Sequence, residues 1–199
     1  MILGLKPRID WIRIFRNVMS ELARTKKRYT WFRESRKLGA EAMGRIKAYR
    51  RKNIELIMLL DVSGSVHATK DLNEFVREVG GVARVLGAGV TLVQWADYVL
   101  RVDQYPKGRL EKLAKIRIME GMFTKPVNAL EKAIEIMQKS DRLYGLIMFT
   151  DGEFIVDQYL VGLAREAASL AAKAVYVYTV FEHPDVFSNW IRIKYPIRG

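Results

Sequence analysis

A chain of 199 residues, half of them apolar, is long enough for one sizeable core and short for two full domains. It has no cysteine, which excludes a disulfide framework and a thiolate metal site, and its two histidines, His67 and His183, are too few for an ordinary zinc site without carboxylate help. The net charge of +12 sits at one end: of 34 Lys and Arg, 16 lie in residues 1–52 against four acids, and the remaining 18 bases and 18 acids cancel.

The charge split divides the sequence into a basic helical extension over 1–52, expected to pack on or wrap a body, and a balanced body over 53–199. In the extension, Pro7 suits the first turn of a helix. Ile12, Phe15, Met19 and Leu22 then recur at helical spacing, with Arg13, Arg16 and Arg24 on the other face. Lys26–Arg28 leads into Tyr29, Trp31 and Phe32, and the stretch from Leu38 to Lys52 reads as loop or short helix.

The body opens with Ile54–Leu60, an apolar run interrupted only by Glu55, as expected of a central parallel strand covered on both faces. A helix follows from about Thr69 to Leu86, stopped by Gly87 and Gly89. Val90–Trp95 is a strand, Ala96–Asp97 a tight turn, and Tyr98–Val102 an antiparallel edge strand. Arg109–Arg117 suits a short helix and Met119–Lys125 a loop. Pro126 starts a helix that buries Val127, Leu130, Ala133, Ile134 and Met137. Gly145–Thr150 is a third buried strand, Gln158–Ala172 a helix, Ala174–Val180 a strand, and Ile191–Tyr195 an outer strand. Strands alternating with helices imply a mostly parallel sheet with right-handed crossovers, a three-layer α/β/α sandwich with one antiparallel edge strand.

Ligands of such sheets bind at the carboxyl ends of the strands. The first strand ends in Asp61, Ser63 and Ser65, three oxygen-bearing side chains within five residues. Thr124 lies on the second loop and Asp151 at the end of the third strand. Two carboxylates and three neutral hydroxyls form a hard set that suits Mg²⁺ or Mn²⁺ and leaves such an ion most of its charge, which favours an external carboxylate as a further ligand.

The run Asp61-Val62-Ser63-Gly64-Ser65, then Thr124, then Asp151-Gly152 resembles the metal-ion-dependent adhesion site (MIDAS) of von Willebrand factor A (VWA) domains. The resemblance covers the body in order and spacing. It is closest to the VWA-like domain that follows a zinc-metallopeptidase domain in larger relatives, where a segment like Ile9–Trp11 through Tyr29–Trp31 and Arg33–Arg36 also precedes the first strand. No His-Glu-x-x-His occurs here, so the peptidase part is not in this sequence. The resemblance implies a Rossmann-like VWA fold and one Mg²⁺ or Mn²⁺ ion, touched directly by Ser63, Ser65 and Thr124. Asp61 and Asp151 would act directly or through water, and Thr150 would steady the third loop. It also implies an Asp or Glu from a protein partner, with a MoxR-type AAA+ ATPase as the first partner to test. The second loop departs from the family pattern: Phe123 stands where glycines are usual and Lys125 where an acid often follows the threonine.

Other readings compete. Asp-x-Ser-Gly-Ser alone is also a turn with a helix cap. The basic extension is a solvated helix face and wrapping arm, or a nucleic-acid contact with aromatic stacking. A metal-dependent hydrolase would need Glu153 or His67 as its base. No apolar run is long enough to span a membrane, and Lys6, Arg8 and Asp10 interrupt the start too early for a secretory signal, so a soluble, cytoplasmic, non-enzymatic binding protein is the expectation. Few Asn and Gln with many Lys, Arg and Glu match the composition of thermophilic proteins.

Overall fold

All eight residues of Ile54–Asp61 are buried, and the sheet is built outward from them. In the computed structural model, residues 11–24, 27–34, 45–51, 53–64 and 72–196 are described. In chain order, helix α1 (Trp11–Arg24) precedes strands β1 (Lys27–Glu34), β2 (Arg45–Arg51) and β3 (Ile54–Asp61). Helix α2 (Leu72–Leu86), strands β4 (Gly89–Trp95) and β5 (Val99–Tyr105) and a 3-10 helix (Leu110–Lys115) follow. Helix α3 (Pro126–Gln138), strand β6 (Leu143–Thr150), helix α4 (Gln158–Leu170) and strands β7 (Lys173–Tyr178) and β8 (Ile191–Lys194) complete them.

The main sheet has the order β5-β4-β3-β6-β7-β8. Only β5 runs antiparallel to its neighbour. The chain leaves β3 toward β4 on one side and later returns to β6 on the other, so the order reverses between β3 and β6. Their carboxyl ends, Asp61 and Thr150, therefore stand side by side at the switch point, where open sheets leave a crevice.

Strand alternation sorts the side chains into two cores. Leu56, Met58, Leu60, Phe149, Val175 and Val177 face one side and pack with Phe75 and Val79 of α2. Ile57, Leu59, Leu146, Met148 and Tyr176 face the other, against Leu130 and Ala133 of α3 and Leu160 and Leu163 of α4. That makes the three-layer sandwich. Gly87, at φ +60°, ends α2 in the left-handed region that other residues rarely adopt.

Helix α1 docks in the same layer as α2. Phe15 and Met19, four residues apart on one face, are fully buried in that core, while Arg13 and Arg16 are exposed. Glu21 pairs with Lys173 of β7 at 2.5 Å, an exposed pair worth little beside the apolar burial. The stretch expected as loop or short helix instead contains β2, which pairs antiparallel with β1 as a separate two-stranded ribbon. Arg45-Ile46-Lys47-Ala48 alternates in polarity, a period-2 signal that the local charge obscures. No described helix is long and apolar enough to cross a membrane.

Candidate metal centre

Asp61 is the last residue of β3 and is fully buried. Its Oδ1 accepts a hydrogen bond from Ser63 N at 2.9 Å, which curls the chain over the strand end. Its Oδ2 accepts from Thr150 Oγ1 at 2.5 Å, across the switch point from β6. Thr150 Oγ1 in turn accepts from Gly152 N at 3.0 Å. One hydroxyl thus fastens the first loop to the third, which is the steadying role expected of Thr150.

Asp151 follows directly. Its Oδ1 accepts from Glu153 N at 2.9 Å, and its main-chain oxygen accepts from Val180 N and Phe181 N. Its Oδ2 is buried and has no hydrogen-bond partner among the described residues. A buried carboxylate oxygen left unpaired is costly. Gly152 has φ +87°, and a Cβ there would lie 2.5 Å from the Phe181 carbonyl oxygen. Only glycine lets the third loop pass so close to the segment that follows β7.

Two carboxylates in one buried crevice repel each other. Burial is the largest influence on Asp61 and pushes its pKa up to about 6; the bonds from Thr150 and Ser63 oppose this, and the charge of Asp151 adds to it. The Tyr176 phenol beneath is pushed up as well, by burial first and then by the fields of Asp151 and Asp61.

The second loop is fixed by main-chain bonds on both sides. Gly121 N donates to Val62 O at 3.0 Å, and Ser63 forms a parallel bridge with Gly121. A Cβ on Gly121 would overlap that of Ala96. Lys125 N donates to Ala96 O at 2.8 Å, and Asn128 Nδ2 to Asp97 O at 2.7 Å, holding the start of α3 against the turn after β4. Half-buried Thr124 lies between these anchors and lines a cavity that Glu153 of the third loop also lines.

Of the five candidate ligands, Asp61 is bonded to Thr150 and to Ser63 N, Asp151 follows Thr150 in the chain, and Thr124 is on the second loop. Ser65 lies outside the described residues, as does His67. Among the described residues no three His, Asp or Glu side chains gather as a carboxylate or imidazole cage, so any ion here would depend on hydroxyls and water. The residues fit such an ion: the donors are hard oxygens, and Asp151 Oδ2 lacks a partner that a cation would supply. Glu153 is exposed and Lys125 points no ion pair at the site among the described residues.

Two supporting residues were not singled out for this role in the sequence. Buried Gln94 of β4 donates from Nε2 to Arg117 O at 3.0 Å and accepts from Met119 N at 2.8 Å, placing the start of the second loop. His183, at φ +46°, sets Nε2 2.6 Å from Gly152 O and stacks near Phe154, with centroids 4.5 Å apart. It lies in a loop and braces Gly152. A polar residue inside an apolar strand pattern is the signal for Gln94; none exists for a contact 31 residues away.

No protein-family model and no curated protein matches the chain. Solved structures do. The conserved hypothetical protein BatB from Bacteroides thetaiotaomicron superimposes with a TM-score of 0.59 at 13% identity, covering 73% of this chain and 92% of BatB. Proximal thread matrix protein 1 from the mussel byssus gives 0.53 at 16%, over 71% of this chain and 44% of that one. The ArnB paralog VWA2 from Sulfolobus acidocaldarius gives 0.50 at 14%, over 71% and 41%. The chain spans nearly all of BatB and less than half of the other two. At these identities the likeness concerns the backbone alone: the six-stranded sheet with its flanking helices has the VWA-like fold.

Proposed function

We propose that this protein is a metal-dependent protein-interaction module. A single divalent cation, Mg²⁺ or Mn²⁺, is held by Ser63, Ser65 and Thr124, with Asp61 and Asp151 binding it directly or through water, and an Asp or Glu of a protein partner completes its shell. The observation that carries this reading is the Asp61–Thr150–Asp151 cluster at the switch point, with Asp151 Oδ2 buried and unpartnered. Asp61 already holds a donor on each oxygen, which suits an indirect role through water. A MoxR-type AAA+ ATPase of the same cytoplasm is the first partner to test, and the chain acts by binding rather than by catalysis.

The test is capture of that ATPase by the full chain with Mg²⁺ and with a chelator. Binding lost in chelator, and lost in Asp61→Ala and Thr124→Ala variants that keep their circular dichroism spectrum, supports the reading. Binding that ignores the chelator contradicts it.

One observation favours a second activity for residues 1–52. In the ribbon's backbone register Lys27 is paired with Arg51 and Arg28 with Arg50. Cations at paired positions of a ribbon are unfavourable without a counter-charge, which a polyanion would supply. Two-stranded ribbons also fit a major groove. Duplex DNA affinity measured in chelator should then fall steeply with salt, and more gently once Arg50 and Arg51 are changed to Ser. A shallow, unaltered slope would remove this reading.

A further inference from the structure

Beside the candidate metal centre lies a cavity of about 1130 Å³ between the starts of α3 and α4. Its lining joins Thr124, Lys125 and Glu153 of the loops at the metal centre to Phe123, Ile155 and Tyr159. The surrounding loops expose large apolar side chains that a solvated rim does not need. Met122 is 82% exposed, Phe123 65% and Ile155 89%. Val156, Tyr159 and Phe181 are also exposed. Clustered apolar exposure of this kind marks interaction surfaces.

The loops that carry the cavity are held in place. Asp157 caps α4 by accepting from Leu160 N at 2.7 Å, and Tyr159 Oη donates to Glu131 Oε1 of α3 at 2.7 Å, tying the two helices across the groove. The groove is thus a largely formed pocket that mixes apolar walls with a few polar groups, the usual design of a recognition site.

We propose that this groove is the specificity pocket of the interaction site: it takes a large apolar side chain that neighbours, in an extended segment of the partner, the carboxylate bound by the metal. The inference rests on the metal-bridge reading above. Charge decides the occupant's polarity and direction. The cation, with exposed Lys125 beside Thr124, attracts the acid, while Asp157 in the lining and Glu131 bonded to Tyr159 disfavour a second acid beside Tyr159. The apolar walls then receive the neighbour. The partner motif is an Asp or Glu next to a large aliphatic or aromatic residue.

The test is selection of a phage-displayed library of short random peptides on the full chain in Mg²⁺, with elution at low pH and each selected peptide then assayed in Mg²⁺ and in chelator. The selected peptides should carry Asp or Glu beside a large apolar residue. Ile155→Ser and Tyr159→Ser should each weaken a selected peptide about tenfold while Mn²⁺ affinity stays as in the unaltered chain. Peptides that share an acid without an apolar neighbour, and that bind the two variants normally, would overturn the groove and leave the metal bridge standing. Peptides that bind equally in chelator would overturn both. Recovery of no peptide also overturns the proposal; if the chain then dimerises with concentration and Ile155→Ser abolishes this, the groove serves a second copy.

Discussion

Thr150 Oγ1 donates to Asp61 Oδ2 at 2.5 Å, joining the ends of the two strands that flank the switch point. Replacing Thr150 with Val removes the donor and leaves a buried carboxylate oxygen without it. The loss of stability should be about 1–3 kcal/mol. The Asp61 carboxyl, relieved of a bond that lowers its pKa, should rise further and bind Mn²⁺ more weakly at neutral pH. Thr150→Ser should restore both. Urea unfolding and Mn²⁺ titration of the two variants check this.

The same carboxyl makes metal-free stability depend on pH. Its pKa is near 3.8 when unperturbed and about 6 in the folded chain. Between these values the folded state holds a proton that the unfolded state has released, so stability falls as pH rises through the window. The full penalty, about 3 kcal/mol, is present above the upper value. Unfolding followed in chelator from about pH 4 to about pH 7 should show this decline, and Asp61→Asn should flatten it. A cation competes with the proton, so Mg²⁺ should stabilise the chain more at the upper end of the range.

Gly152 is held at φ +87° with Phe181 O 2.5 Å from where a Cβ would be. Gly152→Ala should cost at least about 2 kcal/mol, through strain and displacement of Phe181. Because Phe181 N donates to Asp151 O at 2.9 Å, the third loop should shift with it and Mn²⁺ affinity should fall. Thermal unfolding and metal titration of one variant report both effects.

Helix α1 owes its place to Phe15 and Met19. Phe15→Ala should cost about 3–5 kcal/mol in urea unfolding, the usual penalty for emptying a buried aromatic site. A loss below about 1 kcal/mol would show that the helix adds little to the body.

Much of this arrangement was legible from residue patterns. The unbroken apolar run before Asp61 marked the central strand because both its faces are covered. Helical spacing found α2, α3 and α4, with Pro126 and Gly87 marking a start and a stop. Oxygen-bearing residues at three strand or loop ends pointed to the crevice. What escaped is of two kinds. Strand β2 was hidden because its short alternation is built from cations, which carry little β signal. Gln94 and His183 act through contacts 23 to 31 residues away in sequence, which only the folded topology creates.

Titration of the full chain with Mn²⁺, followed by electron paramagnetic resonance, addresses the metal centre itself. The expected result is saturable binding of a single ion, displaced by Mg²⁺, strongly weakened in Thr124→Ala and absent in Asp151→Ala, with the circular dichroism of both variants unaltered. Absence of saturable binding, or binding that both variants retain in full, would contradict a cation held among these loops.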